Sequence, residues 1–493
     1  MALTAASEQA ANTAAVDNEK RKDEEGRSTV KVSRFGKKQI HNAPTWGVAR
    51  LASKPLLPPK LANRYANLAI CTLITTTNRQ SNSTDSTLIA FAQTVCYSAN
   101  SVKIDGITEI GKKVLLEFGF RNFYSFREGA SISFRLDANC PESISLGKPF
   151  ATVIGIKGAN GSGKTQILKA LKFISSFAHQ SFSQEVDAPI PIFPFFESSE
   201  ASDFYIEFLL NGVIYTYEIS CNQKKVLSET LYSKIAKKIK IVERTDNEIT
   251  YASKKYSGIR GVRLRSNASL ISTARQYELK EFLEIANYLG DFPSNVSTSG
   301  YRERVISLTA ISELLTKSDL MLEVVNDFLR DCDVGLSKVE IIEKVNPATG
   351  DKEFIPIFIH KHNDIEHPVT QHSESSGTKL LFRYLPMYIA TLQLGGIAIV
   401  DEFDVHLHPQ ILPKILDLFT DPAKNPNNAQ LIFSTHDTEI LNTLGKYRSY
   451  LVNKTNNESF AYRLDEIPGD LVRNDRQISP IYRDGKIGGV PRV

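Results

Sequence analysis

The chain has 493 residues, 42% of them apolar and 23% charged, enough to bury one large core or two to three smaller ones. Its net charge of +4 permits contact with nucleic acid without requiring it. Five scattered cysteines (Cys71, Cys96, Cys140, Cys221, Cys332), odd in number and never spaced as CxxC, argue against a disulfide framework or a zinc ribbon and suit a reducing cytosol. The start Met1–Glu8 has no basic flank and no apolar core of a secretory signal. The longest apolar stretch, Ala66–Ile74, is far short of the ~20 residues that span a bilayer. A cytoplasmic chain with no membrane segment is expected.

Residues 1–112 are rich in Ala, Ser, Thr and Asn without sustained periodicity, and are expected to be a disordered or loosely ordered extension. An N-terminal lobe is expected over 113–271. It opens with strands at Val114–Phe120 and Ile132–Phe134 joined through Arg121–Phe126. The apolar run Thr152–Ile156 then leads into Gly158-Ala159-Asn160-Gly161-Ser162-Gly163-Lys164-Thr165 and a helix over Gln166–Ala178. Strand, glycine-rich turn and helix make a P-loop, in which backbone N–H groups and the helix dipole surround an anion. Lys164 would reach the β- and γ-phosphates of ATP, and the Thr165 hydroxyl would ligate Mg²⁺. Next, Phe204–Leu210 and Val213–Ile219 alternate on either side of Asn211-Gly212, which predicts a hairpin with a type I′ turn. Strands near Val226–Leu231 and Ile239–Glu243 complete an antiparallel sheet.

Residues 272–340 carry stripes at helical spacing (Leu279, Phe282, Leu283, Ala286, Leu289; then Leu308, Ile311, Leu315, Leu322, Val325, Leu329) with Ser318 as a helix N-cap. No heptad persists, so a compact helical lid insertion is expected here, not a long coiled coil. A C-terminal lobe is expected over 341–493.

That lobe carries three further chemical signals. Gly396–Val400 is an apolar strand ending in Asp401-Glu402. At the carboxyl end of a buried parallel strand Asp401 would hold the Mg²⁺ shell, and Glu402 would polarise the attacking water. Leu431–Thr435 is a second such strand, ending in His436, which could donate to the γ-phosphate or position the water. Between lid and Asp401 lies Glu374-Ser375-Ser376-Gly377-Thr378, heading an apolar helix over Lys379–Leu392. Ser375, Ser376 and Gly377 make a second anion site. One nucleotide rarely needs two on one chain, whereas two chains packed head to tail would each offer this turn to the other's P-loop.

These four motifs in this order resemble the ABC-type AAA ATPases of the RecF, SMC and OLD branch. Asp404-Val405-His406-Leu407-His408-Pro409 resembles that branch's D-loop region, which favours a structural or dimer-interface role for His406 and His408 over metal binding. Within the branch the chain is similar to short ATPases of phage-defence operons, exemplified by RloA, the ATPase subunit of AbiL, and AriA of PARIS. Asn122–Phe126, Glu374–Thr378, Asp401–Pro409 and the tail Asp484–Pro491 carry that likeness. It implies an α/β ABC-ATPase (P-loop NTPase) core with a mixed sheet, an antiparallel β subdomain and a helical lid. Two departures stand out: Ser-Ser-Gly-Thr replaces the Ser-Gly-Gly signature followed by Gln or Glu, and neither Gln180 nor Gln184 fits a Q-loop.

Only residues 437–493 follow His436, too few for an OLD-type nuclease. The expected function is therefore an ATP-hydrolysing sensor and scaffold that oligomerises around nucleotide and controls a separately encoded effector, a nuclease, in answer to a phage trigger. The alternative is a DNA-repair or DNA-end-binding ATPase acting on nucleic acid through Lys237, Lys238, Lys240, Lys254, Lys255, Arg260, Arg263 and Arg265, although such runs are commonly solvated faces. A metabolic P-loop kinase would not need Glu402, His436 and the serine–glycine turn together.

Overall fold

The computed structural model describes residues 113–490 apart from 297–306, 334, 346 and 348–349. The N-terminal extension expected over 1–112 lies outside the described residues.

Alternation of apolar side chains builds the first sheet. β1 (Lys113–Arg121), β2 (Ala130–Ser133), β4 (Ser202–Leu210), β5 (Val213–Cys221), β6 (Val226–Lys234), β7 (Lys238–Thr245) and β8 (Glu248–Ala252) pair antiparallel in the order β2-β1-β4-β5-β6-β7-β8. Every second residue of β4 is buried, as in a sheet with one face on a core. Asn211 and Gly212 both take positive φ, 51° and 78°, as a type I′ turn requires, and set Leu210 opposite Val213. The hairpin is as expected from the sequence; β1, β2 and β8 widen its sheet.

The second sheet is mixed. In it β3 (Val153–Gly158), β12 (Ile397–Val400), β13 (Gln430–Thr435) and β14 (Ser449–Thr455) are parallel, and β15 (Glu458–Arg463) is antiparallel. Their order is β12-β13-β3-β14-β15. All residues of β3 and β13 are buried, the state that a continuous apolar run foretells. Neighbouring residues on these strands face different cores. Ile154, Ile156, Ile399 and Ile432 join the core beneath the antiparallel sheet, whereas Val153, Val400, Leu431 and Phe433 join a second core.

The first core also takes α1 (Lys164–Gln180), α2 (Leu270–Gln276) and α3 (Lys280–Gly290). The second takes α4 (Leu308–Leu315), α5 (Asp319–Cys332), α6 (Ser376–Leu394) and α7 (Leu412–Thr420), with part of α8 (Ile440–Leu444) and the antiparallel sheet of β9 (Leu336–Val345), β10 (Lys352–His362) and β11 (Ile365–Thr370). A small third core holds α9 (Ile478–Arg483) against Leu441, Leu451 and Leu464.

Residues 272–340, expected as a compact helical lid insertion, carry α3, α4 and α5. The helices form, and Ser318 caps α5 by accepting from the Met321 amide. They nevertheless divide between two cores, α2 and α3 against the P-loop helix, α4 and α5 beneath β9–β11. An amphipathic stripe tells that a helix buries one face, not which core receives it.

Candidate functional site

Parallel pairing aligns the chemistry. Val400 lies opposite Phe433, and Phe433 opposite Gly155. The residues beyond these strand ends (Asp401 and Glu402 after β12, His436 after β13, Gly158–Thr165 after β3) therefore emerge at one carboxyl edge, where open α/β sheets bind ligands.

The phosphate loop is shaped by close approach. A Cβ at Gly158 would sit 2.4 Å from the Val452 carbonyl oxygen of β14. Gly163 caps α1 with φ 115°, and a Cβ there would meet the Phe126 ring at 2.9 Å. Asn160 and Gly161 lie exposed at the loop's crest. The amides of Asn160, Gly161 and Gly163 have no hydrogen-bond partner among the described residues, and the buried Ser162 hydroxyl is unpaired. Such free donors at a helix start fit a polyphosphate. Lys164 Nζ folds back onto the carbonyls of Gly158 (3.0 Å) and Ala159 (3.2 Å). Burial lowers its pKa, which Asp401, Glu402 and Asp404 oppose. The lysine and three carboxylates thus share one electrostatic neighbourhood, and Thr165 follows on the first turn of the same helix.

The loop is buttressed by the Asn122–Phe126 segment, whose physical role the sequence did not reveal. Ser125 donates its hydroxyl to Gln166 Oε1 (2.5 Å), and Ser459 on β15 donates to the Ser162 carbonyl (2.6 Å). Asn122, with φ 51°, spans to Phe195 and Glu200 through its side-chain amide.

Two residues missed in the sequence reading fix the acids. Asn295 brackets Asp401: its Oδ1 accepts from the Asp401 amide (2.7 Å) and its Nδ2 donates to the Asp401 carbonyl (3.0 Å). Ser434, fully buried on β13, donates its hydroxyl to Asp401 Oδ1 and accepts from the Glu402 amide at 2.9 Å. Glu402 adopts φ 52°, a left-handed conformation that costs a non-glycine residue about 1–3 kcal/mol and persists where the surroundings over-determine it. Its carboxylate is exposed, with no ion-pair partner among the described residues. The only available signal for Ser434 was its place two residues before His436; Asn295 lay in a stretch without periodicity.

His436 is held by its backbone. Its amide donates to both oxygens of Asp404 (2.9 and 3.1 Å), and its carbonyl accepts from Lys157 Nζ (2.8 Å). The ring is exposed at the edge.

The Glu374–Thr378 turn is equally braced. Ser375 caps α6, accepting from the Thr378 amide at 3.0 Å. Glu374, buried, accepts from the Ser375 amide (2.6 Å) and bonds His360 on β10 (2.7 Å), while Thr378 donates to Asp333 (3.0 Å). Ser376 stays exposed, and a Cβ at Gly377 would lie 3.0 Å from the His406 carbonyl oxygen. No hydrogen bond or ion pair joins 374–378 to 158–165 among the described residues. The structure thus gathers the loop, Asp401, Glu402 and His436 at one edge, and sets Gly377 against the 401–408 segment.

Other expectations change weight. Gln180 closes α1, 16 residues from Lys164, or about 24 Å at 1.5 Å per residue, so it is remote from the loop. Of the basic run, Arg265 stacks on Phe182 (3.9 Å) and donates to its carbonyl, while Lys238 and Lys240 pair with Glu218 and Glu243. No group of three potential metal ligands occurs among the described residues, and no helix there is long and apolar enough to cross a membrane.

The family described as "AAA domain, putative AbiEii toxin, Type IV TA system" matches residues 153–442, from β3 into α8. The chain belongs to this AAA family. The match runs from β3 and the phosphate loop through Glu374–Thr378 to Asp401, Glu402 and His436, so these motifs fall inside the AAA domain. Among solved structures, the SMC head bound to the C-winged helix domain of ScpA is similar at 14% identity and a TM-score of 0.40, over 71% of this chain and 99% of that one. The SMC head domain from Thermotoga maritima is similar at 13% identity and a TM-score of 0.36, over 71% and 98%. No curated protein matches the chain.

Proposed function

We propose that this AAA-family chain binds and hydrolyses ATP between two copies of itself, and that closure of the pair licenses a separately encoded effector, a nuclease, in anti-phage defence. One observation carries the ATPase part: Lys164, Asp401 and Glu402 converge on a loop whose Asn160, Gly161 and Gly163 amides have no hydrogen-bond partner among the described residues. The loop amides and Lys164 would hold the phosphates. Thr165 and Asp401 would hold Mg²⁺, which when bound neutralises phosphate charge. The exposed Glu402 carboxylate accepts the proton of the attacking water, and His436 follows the neighbouring strand. Ser375, Ser376 and Gly377 serve the phosphate held by the other copy. The defence role and the short-ATPase likeness rest on the tail and signature motifs and on the family's toxin–antitoxin description.

The test is Glu402→Gln, which keeps shape and hydrogen bonding but removes the base. ATP should remain bound, hydrolysis should fall at least about a hundredfold, and the closed dimer should accumulate in light scattering with Mg·ATP. Wild-type turnover would refute the assignment. Recovery of no second protein with the tagged chain from its native operon would refute effector control.

The alternative, direct action on nucleic acid, draws on the β6–β7 hairpin. There Ile235 is 81% exposed between Lys234 and Lys237. Steep loss of duplex affinity as salt rises would favour this reading.

A further inference from the structure

We propose that Lys157 is a positioning residue for His436 and that the C-terminal segment 478–490 holds it there. The inference rests on the nucleotide reading of the carboxyl edge and extends it to a lysine and a tail that the reading leaves idle.

Lys157 is 4% exposed, one residue before the carboxyl end of an otherwise apolar parallel strand. A buried ammonium is expensive unless it is paired and hydrogen-bonded. Its partner is not a carboxylate but the His436 carbonyl oxygen, 2.8 Å from Nζ. On its other side the Tyr482 ring of α9 lies 4.8 Å from Nζ, within cation–π reach. Burial lowers the pKa of Lys157 to about 8, opposed by Asp404 and reinforced by Lys164. The same Asp404 grips the His436 amide. His436 is thus clasped at its amide by Asp404 and at its carbonyl by Lys157.

The tail fixes Tyr482. Its hydroxyl donates to the Gly489 carbonyl (2.7 Å), the Gly489 amide donates to Asn453 (2.5 Å), and Tyr462 donates to the Ile487 carbonyl (2.5 Å). A Cβ at Gly488 would fall 2.5 Å from both Asn453 and Tyr462, which explains the glycine in this tail. The segment also holds α8, the helix just after His436: Asn442 accepts from the amides of Ile478 (2.7 Å) and Ser479 (3.0 Å). The tail therefore meets the His436 segment on both sides, through Lys157 before it and through Asn442 after it.

The experiment measures kcat and KM for ATP, with thermal melts, on full-length variants. Lys157→Met keeps the stem and removes the cation. The expected result is a kcat loss of about tenfold to a hundredfold, the size of a roughly 1 Å misplacement, with KM within about threefold. Tyr482→Leu should reproduce part of the loss and Tyr482→Phe, which keeps the ring beside Nζ but gives up the bond to Gly489, should lose less than Tyr482→Leu, which keeps the test open if Lys157→Met fails to fold. Lys157→Met combined with His436→Ala should be no slower than His436→Ala alone. Wild-type kcat in Lys157→Met or Tyr482→Leu, or losses that multiply in the double variant, would overturn the inference. Wild-type kcat in Glu402→Gln would instead overturn the nucleotide reading beneath it.

Discussion

Ser434→Ala is a sharp test of how the acids are held. The Ser434 hydroxyl makes two bonds, one to the Asp401 carboxylate and one from the Glu402 amide. A hydrogen bond to a charged group is worth about 1.5–3 kcal/mol and a neutral one about 0.5–1.5. Loss of both, carried wholly into the transition state, amounts to about 2–4.5 kcal/mol, or roughly a thirtyfold to two-thousandfold fall in kcat. Ala leaves the strand's backbone pairing with β3 and β12 in place, so the fold should survive. Turnover would be measured by phosphate release across a magnesium titration. Ser434→Ala should need more magnesium and turn over more slowly, while Ser434→Thr, which keeps the hydroxyl, should stay within about fivefold of wild type. If Ser434→Ala retained kcat within about threefold at every magnesium concentration, the claim that this hydroxyl orients Asp401 and Glu402 would be wrong.

Three further outcomes are expected. Mixing Lys164→Ala chains with Ser376→Ala chains, each inactive alone, should restore part of the hydrolysis, because one mixed interface keeps both an intact loop and an intact turn; no recovery at any ratio would refute action in trans. Arg244 is fully buried on Glu229, 2.7 Å away, and also donates to the carbonyls of Ala268 and Arg265, so Arg244→Leu should cost about 3–5 kcal/mol in denaturant unfolding. Asp291, buried near Lys113, has its pKa raised by burial to about 6, against the lowering effect of Lys113. Because the folded carboxyl takes up its proton more readily than the unfolded one, its contribution is full below about pH 4 and declines as pH rises to about 6, by up to about 3 kcal/mol. Asp291→Asn should flatten that part of the stability–pH curve.

The most legible parts of the chain were those in which local chemistry dictates the backbone. Gly158–Thr165, the Asn211-Gly212 turn and the apolar strands ending at Asp401 and His436 each impose a conformation or an edge that the amino acids announce. Less visible was anything decided by a distant partner. β9–β11 escaped notice because Ile342, Val345 and Ile365 are half or more exposed, which blurs the period-2 pattern. Asn295 gains its role only when its loop crosses Asp401, 106 residues away, and Lys157 only when β3 lies beside β13. The helices of 270–332 were visible as helices, but their division between two cores is tertiary.

The rim that carries Asp401 and His436 stands on a partition wall. Successive side chains of β13 belong to opposite rooms, Ile432 to one and Phe433 to the other. A slip of one residue would turn both linings inside out. The strand is therefore indexed from both sides, so the spacing between acid and histidine should survive loss of bulk in either core, and movement on closure should fall to the loops above the wall.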